Sequence, residues 1–235
     1  AVVAKKIRRQ ASHAGRYVGI LADLQGPKIR INGFASGSVL LTAGDPFRLD
    51  LDVGKEDGDG RRVGVEYTPL PEQVVVDDVL LLDDGKLRLR VDDVTPRAVD
   101  CTVLIGGRLS SRKGVNKLGG GLAAPALTEK DLSDIAGMGA IEPDFVAVSF
   151  VSSREDIDQA RGLLADVGLS PAIVAKIERA EVVADTALLD SIITASDGIM
   201  VARGDLGVEV GDAQLIGIQK DLISRTRKLD RVVIT

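Results

Sequence analysis

The sequence predicts an α/β fold: a parallel sheet with helices outside it, interrupted by a small antiparallel β domain. Three observations predict it. In the second half of the chain, short apolar segments that read as buried strands alternate with helical patterns. An earlier segment of the same kind, 18–24 (VGILADL), has no successor until residue 145. The stretch between them changes to period-two alternation, the mark of half-buried strands.

Residues 1–13 read as a helix already under way, with Val3, Ile7 and Ala11 on one face and Lys5, Lys6, Arg8 and Arg9 elsewhere. Basic residues without a following apolar region exclude a signal peptide. After the 18–24 strand comes the inserted region. Leu87, Leu89 and Val91 alternate with Lys86, Arg88 and Arg90, and Val99, Cys101, Val103 and Ile105 repeat the pattern. Asp83-Asp84-Gly85 between two such runs is a hairpin turn signal. The Asp- and Gly-rich stretch 52–60 reads as a solvated loop. The domain boundaries follow: 1–27 and 114–235 form the parallel domain, and 28–113 an antiparallel β domain.

Four strands then read as buried on both faces: 145–150 (FVAVSF), 172–177 (AIVAKI), 198–202 (GIMVA) and 232–235. Between them, Ile157, Ala160, Leu164 and Val167 form one apolar helical stripe, and Leu215, Ile218 and Leu222 another. Ser152 with Glu155 reads as a capping box, and Gly168 as the helix stop. A chain that opens inside a helix and stops inside a strand reads as a piece of a longer protein or a truncated chain.

Composition bounds the function. The 235 residues suit between one and two domains at ~150 residues each. With 45% hydrophobic and 28% charged residues, the chain is globular rather than disordered. No apolar run reaches the ~20 residues that cross a bilayer, so no membrane is expected. A net charge of −5, 3% aromatics and no Trp argue against broad nucleic-acid binding, though a local basic cleft stays open. One cysteine, Cys101, excludes an internal disulfide framework and any multi-Cys metal site. It reads as core, with a reactive thiol as the alternative. The composition fits a reducing cytoplasm. His13, the only histidine, reads as a surface residue, so His triads and His metal clusters are excluded.

The residues that carry chemistry fall at strand ends. Lys176 and Glu178 lie on one side of their strand by alternation. A Lys and a Glu at the carboxyl end of a parallel barrel strand suit catalysis, and equally a salt bridge at the barrel mouth. The segment Val201-Ala202-Arg203-Gly204-Asp205-Leu206-Gly207 follows the next strand. Its backbone amides suit a carboxylate or phosphate if a short helix begins there, and Asp205 suits a hard divalent ion with Glu178. The plainer reading is a Gly-rich turn with a capping Asp. Asp23-Leu24-Gln25-Gly26-Pro27-Lys28-Ile29-Arg30 ends a strand in an acid and then presents two cations. Ser111-Arg112-Lys113-Gly114-Val115-Asn116 stands at the return crossing. Either reads alone as a solvated hinge; two basic crossings at one interdomain cleft suit phosphate.

The segments Ala175–Glu178 and Ser196–Glu209 closely resemble the pyruvate kinase signature. Asp23 to Arg30, Arg112 to Asn116 and Leu127-Thr128-Glu129-Lys130-Asp131 fit in the same order, so the resemblance covers essentially the whole chain. It implies part of a (β/α)₈ barrel with a mobile β-barrel domain inserted after the third barrel strand. It implies transfer of the phosphoryl group of phosphoenolpyruvate to ADP, giving pyruvate and ATP, in a cytoplasmic homotetramer that needs Mg²⁺ or Mn²⁺. Lys176 would stabilise the transferring phosphoryl group and the enolate. Glu178 and Asp205 would hold the divalent ion. Ala202, Arg203 and Gly204 would offer amides to the substrate carboxylate, and Arg30 and Lys113 would face nucleotide phosphates. Asp23, Leu24 and Gln25, with Lys28 where many members carry Glu, resemble the K⁺-independent branch, with Asp23 and Lys28 near the substrate phosphate and Asp23 as the partner of Lys28.

The resemblance also departs. The family's Asn-Phe-Ser-His-Gly segment, with the substrate-binding Arg before it, and its Thr after the seventh strand have no counterpart in this sequence. Five of eight barrel strands are expected, and the isolated chain is expected to be inactive. Two other readings stay open: a Mg²⁺-dependent lyase acting on enolates of 2-oxo acids, and a non-enzymatic binding module made by the inserted β domain.

Overall fold

The computed structural model describes residues 1–235. In chain order come helix α1 (Val2–His13) and strand β1 (Leu21–Asp23). Strands β2 (Ser38–Leu41), β3 (Pro46–Asp50), β4 (Arg62–Val63), β5 (Val79–Leu82), β6 (Leu87–Thr95), β7 (Ala98–Ile105), β8 (Gly107–Ser110) and β9 (Val115–Lys117) follow. Then helices and strands alternate: α2 (Glu129–Ala136), β10 (Phe145–Val148), α3 (Arg154–Asp166), β11 (Ala172–Ile177), α4 (Ala180–Ala184), α5 (Thr186–Ala195), β12 (Gly198–Val201), α6 (Arg203–Val210), α7 (Asp212–Lys228) and β13 (Val232–Ile234). The chain divides into two compact units. One comprises Ala1–Pro27, Ala124–Arg203 and Leu215–Thr235; the other comprises Lys28–Ala123 and Gly204–Gln214.

The first unit is built on a five-stranded sheet of order β1-β10-β11-β12-β13, parallel at every pairing. Its middle strands are apolar on both faces because helices cover the sheet. Val146, Val148, Ile173, Ala175 and Ile177 are buried. The last strand was expected to be buried as well, yet Val232 is 65% exposed, because β13 pairs only with β12 and forms an edge. The first strand is shorter than residues 18–24: only Leu21–Asp23 pairs with β10.

Helix α3 buries Ile157, Ala160 and Leu164 as the stripe predicts. Val167 is exposed, because the helix ends at Asp166 and Gly168 turns the chain at φ +76°. The capping box sits one residue later than expected. Asp156, not Glu155, accepts from the N–H of Ser152 at 2.8 Å and of Ser153 at 3.0 Å. Such caps contribute ~1 kcal/mol. In α7, Leu222 and Thr226 are buried while Leu215 and Ile218 are half-buried. Helix α1 departs most: Val3 and Ile7 stay exposed, and only Ala4 is buried.

The second unit holds a six-stranded sheet of order β4-β3-β7-β6-β5-β9 and a separate β2-β8 pair. The expectation was an antiparallel barrel. The strand pairings form two sheets, and β3 runs parallel to β4. Leu87, Leu89 and Val91 point into the core as alternation requires, with Val99, Cys101 and Val103 opposite. Ile105, at the end of β7, is exposed. The β5–β6 hairpin turns through Asp83, Asp84 and Gly85, all at positive φ (50°, 57° and 80°), the twist that a tight hairpin needs. The unit runs past residue 113 because β9 pairs with β5, Leu82 opposite Val115. The outgoing and returning crossings lie side by side, with Arg30 bridged to Gly114 and the N–H of Ile31 on the Lys113 carbonyl at 2.9 Å.

Cys101 is 2% exposed between Phe47 and Val91. Burial, with Asp92 and Asp100 adding to it, pushes its thiol up to about 12. The folded protein should therefore resist a disulfide-exchange reagent at neutral pH and react once unfolded. Above the ordinary thiol value of ~8.5 the unfolded chain releases a proton that the folded chain keeps. Stability should fall as pH rises through that window. Rapid labelling of the folded protein would contradict this placement.

Candidate functional site

Parallel pairing brings the carboxyl ends of neighbouring strands together. Asp23 ends β1 opposite Ala147, and Val148 at the end of β10 lies opposite Ala175. Ser149 follows β10, beside Lys176 on β11. The Lys176 ammonium lies 3.2 Å from Glu178 Oε1 and 3.3 Å from Asp23 Oδ1, and donates to Ser149 Oγ at 2.8 Å. Burial acts to lower the Lys176 pKa, but the Glu178 and Asp23 carboxylates outweigh it and leave it raised. Lys176 is thus a fixed cation throughout the neutral range.

Glu178 is 1% exposed. A carboxylate so deep needs charge and hydrogen-bond partners. Beyond Lys176, the N–H of Phe150 donates to its Oε2 at 2.6 Å. Phe150 aims that N–H by adopting φ +52°, an uncommon conformation for a side-chain-bearing residue. Its carbonyl is held in turn by Arg179 Nε at 2.8 Å, while Arg179 Nη2 donates to the Ala124 carbonyl at 2.7 Å. The expected 145–150 strand therefore stops at Val148. Sequence reading missed Ser149, Phe150 and Arg179. The polar residue at the end of a buried strand was a usable signal for Ser149; the turn at Phe150 left none.

The segment after β12 does begin a helix, α6, at Arg203. The N–H groups of its first turn lack intrahelical acceptors, which leaves Arg203 and Gly204 as amide donors. The Ala202 N–H is given to the Ile177 carbonyl at 3.3 Å.

In the β-rich unit, Lys28 Nζ lies 3.5 Å from Asp205 Oδ1. The expected partner of Lys28 was Asp23. The ion pair of Asp23 is instead with Lys176, and that of Lys28 is with Asp205. Arg30 Nη1 donates to the Arg112 carbonyl at 2.9 Å. Lys113 Nζ lies 2.8 Å from Asp83 Oδ1, and hydrogen bonding to Asp83 leads the causes that raise its pKa. Asp83, seen in the sequence only as a turn residue, is thus the partner of a cation at the crossing. His13 is exposed, its Nδ1 2.8 Å from the Arg9 carbonyl.

No group of three or more His, Cys, Asp or Glu side chains gathers to form a protein metal cage. The donor chemistry still fits Mg²⁺, which is held by one or two carboxylates with waters and substrate oxygens completing its shell. Within its own unit Glu178 is an oxygen donor of that kind, beside Lys176; Asp205, in the β-rich unit, is another, beside Lys28.

A family model described as the barrel domain of pyruvate kinase matches residues 1–235. Pyruvate kinase II of Salmonella typhimurium is 54% identical over 232 residues, 99% of this chain and 48% of that protein. The pyruvate kinase of Haemophilus influenzae is 52% identical over the same shares. Among solved structures, a pyruvate kinase from Cryptosporidium parvum superposes with a TM-score of 0.90 at 31% identity, covering 97% of this chain and 48% of that one. The chain spans about half the length of the curated relatives it matches.

Proposed function

Because this chain belongs to the pyruvate kinase family, we propose that the complete protein carrying it transfers the phosphoryl group of phosphoenolpyruvate to ADP, a step of glycolysis. The observation that carries this reading is the pairing of a half-buried Lys176 with a buried Glu178 at the carboxyl end of a parallel strand, with Asp23 and Ser149 around the ammonium. On this reading the five parallel strands are a section of a (β/α)₈ barrel, whose active groups sit at that end.

Phosphoryl transfer asks for positioning and charge neutralisation more than covalent chemistry. Lys176 places its positive charge against the transferring phosphoryl group and then against the enolate oxygen that the transfer leaves behind. Glu178 supplies a carboxylate ligand for the divalent ion, and Asp205 is the second ligand on the strength of its place in the motif. A bound Mg²⁺ or Mn²⁺ neutralises phosphate charge and organises the oxygens. The first-turn amides of Arg203 and Gly204 receive the substrate carboxylate. Arg30 and Lys113 receive nucleotide phosphates, Lys113 by exchanging Asp83 for the incoming anion. Asp23 and Lys28 complete the charge balance near the substrate phosphate, with no K⁺ required.

The inserted domain closing over the reactants, a homotetrameric assembly and a cytoplasmic setting belong to the same proposal. Family membership supports all three. A lactate-dehydrogenase-coupled assay of the complete protein tests the activity. Pyruvate should form only when phosphoenolpyruvate, ADP and Mg²⁺ are all present, and chelation with EDTA should abolish it until Mg²⁺ is restored. Turnover unaffected by EDTA would overturn the metal assignment; no pyruvate under any condition would overturn the activity.

A further inference from the structure

Asp131 is wholly buried, yet no step above uses it. Its position in α2 accounts for only part of its bonding. One part is a helix cap: Oδ2 accepts from the N–H of Thr128 at 2.9 Å and from its hydroxyl at 2.6 Å. The other part reaches far along the chain. Oδ1 accepts from the N–H of Gln25 at 2.9 Å, and Oδ2 from the N–H of Gly26 at 3.2 Å. The carboxylate thereby holds the turn that follows β1, at the residue whose φ is +66°.

That turn leads to the reactive ammonium. The Leu24 N–H is fixed on the Ala147 carbonyl at 3.0 Å, and the Leu24 carbonyl accepts from Ser149 Oγ at 2.7 Å. A hydroxyl has one proton. Because Ser149 gives that proton to Leu24, a lone pair of its oxygen is left for the Lys176 ammonium at 2.8 Å. If the Leu24 carbonyl turned away, the hydroxyl could rotate and present its proton to a cation. Gly26 seals the arrangement from the other side, since a Cβ there would lie 2.8 Å from the Ser149 Cβ. Every residue in this chain of contacts belongs to the same compact unit.

We propose that Asp131 is a positioning residue for Lys176, acting through the Gln25–Gly26 turn, the Leu24 carbonyl and the Ser149 hydroxyl. The inference rests on the phosphoryl-transfer reading for its assay. Asp131→Asn preserves size but turns an acceptor-only carboxylate into a group with an NH₂ end, which meets backbone N–H donors. Misplacing a reacting group by ~1 Å costs on the order of 10²-fold. In the complete protein, Asp131→Asn should lower kcat by ~10-fold to ~10²-fold while leaving the KM for phosphoenolpyruvate nearly unchanged. Ser149→Ala should do the same.

The deciding measurement is the double variant. If Asp131 acts through Ser149, then once Ser149 is alanine the Asp131→Asn change should cost little more, and the two kcat losses should be strongly non-additive. Additive losses, or a fall confined to thermal stability with kcat per folded molecule intact, would make Asp131 a helix cap and nothing else. Should Asp131→Asn not fold, Gly26→Ala presses on Ser149 from the turn, and the same cycle with Ser149→Ala decides whether the turn acts through the hydroxyl. Wild-type protein without pyruvate formation would refute the activity reading itself, an outcome distinct from active wild type with additive variants.

Discussion

Replacing Lys176 by methionine in the complete protein should cut turnover by ~10²-fold to ~10³-fold, the range seen when one preorganised charge-stabilising donor is removed. Methionine keeps much of the length and volume but carries no charge. The loss should fall on kcat, because the ammonium is most needed where negative charge develops in the transition state. Divalent-ion binding, read by Mn²⁺ paramagnetic resonance, should survive, since the ligands proposed are carboxylates. The pairing geometry adds a second expectation. Glu178 is 1% exposed and 3.2 Å from the ammonium. Removing one partner of a buried pair costs on the order of 3–5 kcal/mol, so the variant should also melt earlier unless Mg²⁺ is present to replace the lost charge. Lys176→Arg separates the effects: it restores the charge and much of the stability without restoring the point-like geometry of an ammonium. Near-normal turnover of Lys176→Met would remove Lys176 from the chemistry.

What the sequence reveals about this site follows from how local each determinant is. Lys176 and Glu178 were legible as neighbours because they stand two apart at the carboxyl end of β11, which runs over Ala172–Ile177 as the apolar pattern predicts, with Glu178 just beyond it. The alternation of parallel strands and helices was legible for the same reason, and so was the hairpin at Asp83-Asp84-Gly85, whose positive φ values are a property of its own residues. Partner choice was not. The resemblance to the K⁺-independent branch suggested Asp23 as the partner of Lys28, but sheet register sets Asp23 against Ala147 and so delivers it to Lys176. Asp205 becomes the partner of Lys28 only through tertiary folding. Phe150 and Arg179 were invisible for a related reason. Their roles rest on a backbone turn and two carbonyl contacts, and neither residue type announces such a role. The shift of the α3 cap from Glu155 to Asp156 is a smaller case, in which two acidic neighbours compete and the helix start decides.

The complete protein should turn over at full rate in K⁺-free buffer containing Mg²⁺, with added K⁺ having no effect, while Lys28→Glu should lose roughly 10²-fold and regain part of it when K⁺ is supplied. A monovalent cation near the substrate phosphate offsets negative charge, and a tethered ammonium carries the same unit charge without a dissolved ion. The sequence around it is consistent with that exchange, since the Leu24 side chain has no oxygen to offer a cation and Gln25 adds no charge. The observed ion pair sharpens the expectation. Lys28 Nζ lies 3.5 Å from Asp205 Oδ1, so glutamate there would set two carboxylates together where an attraction stood. At an effective dielectric constant of 20 a pair of unit charges ~4 Å apart interacts by about 4 kcal/mol. Both side chains are about 30% exposed, and solvent screening trims that figure. The rest of the expected loss comes from setting a carboxylate, in place of an ammonium, near the substrate phosphate, at ~1.4 kcal/mol per tenfold change in rate. Restoration by K⁺ separates this from simple damage, because a cation can answer an added carboxylate but cannot repair a misfolded turn. Lys28→Met supplies the intermediate case, with the charge removed and none added, and should fall between the two. An enzyme nearly silent without K⁺ and strongly activated by it would reverse the argument, leaving Lys28 as the counter-ion of Asp205 alone.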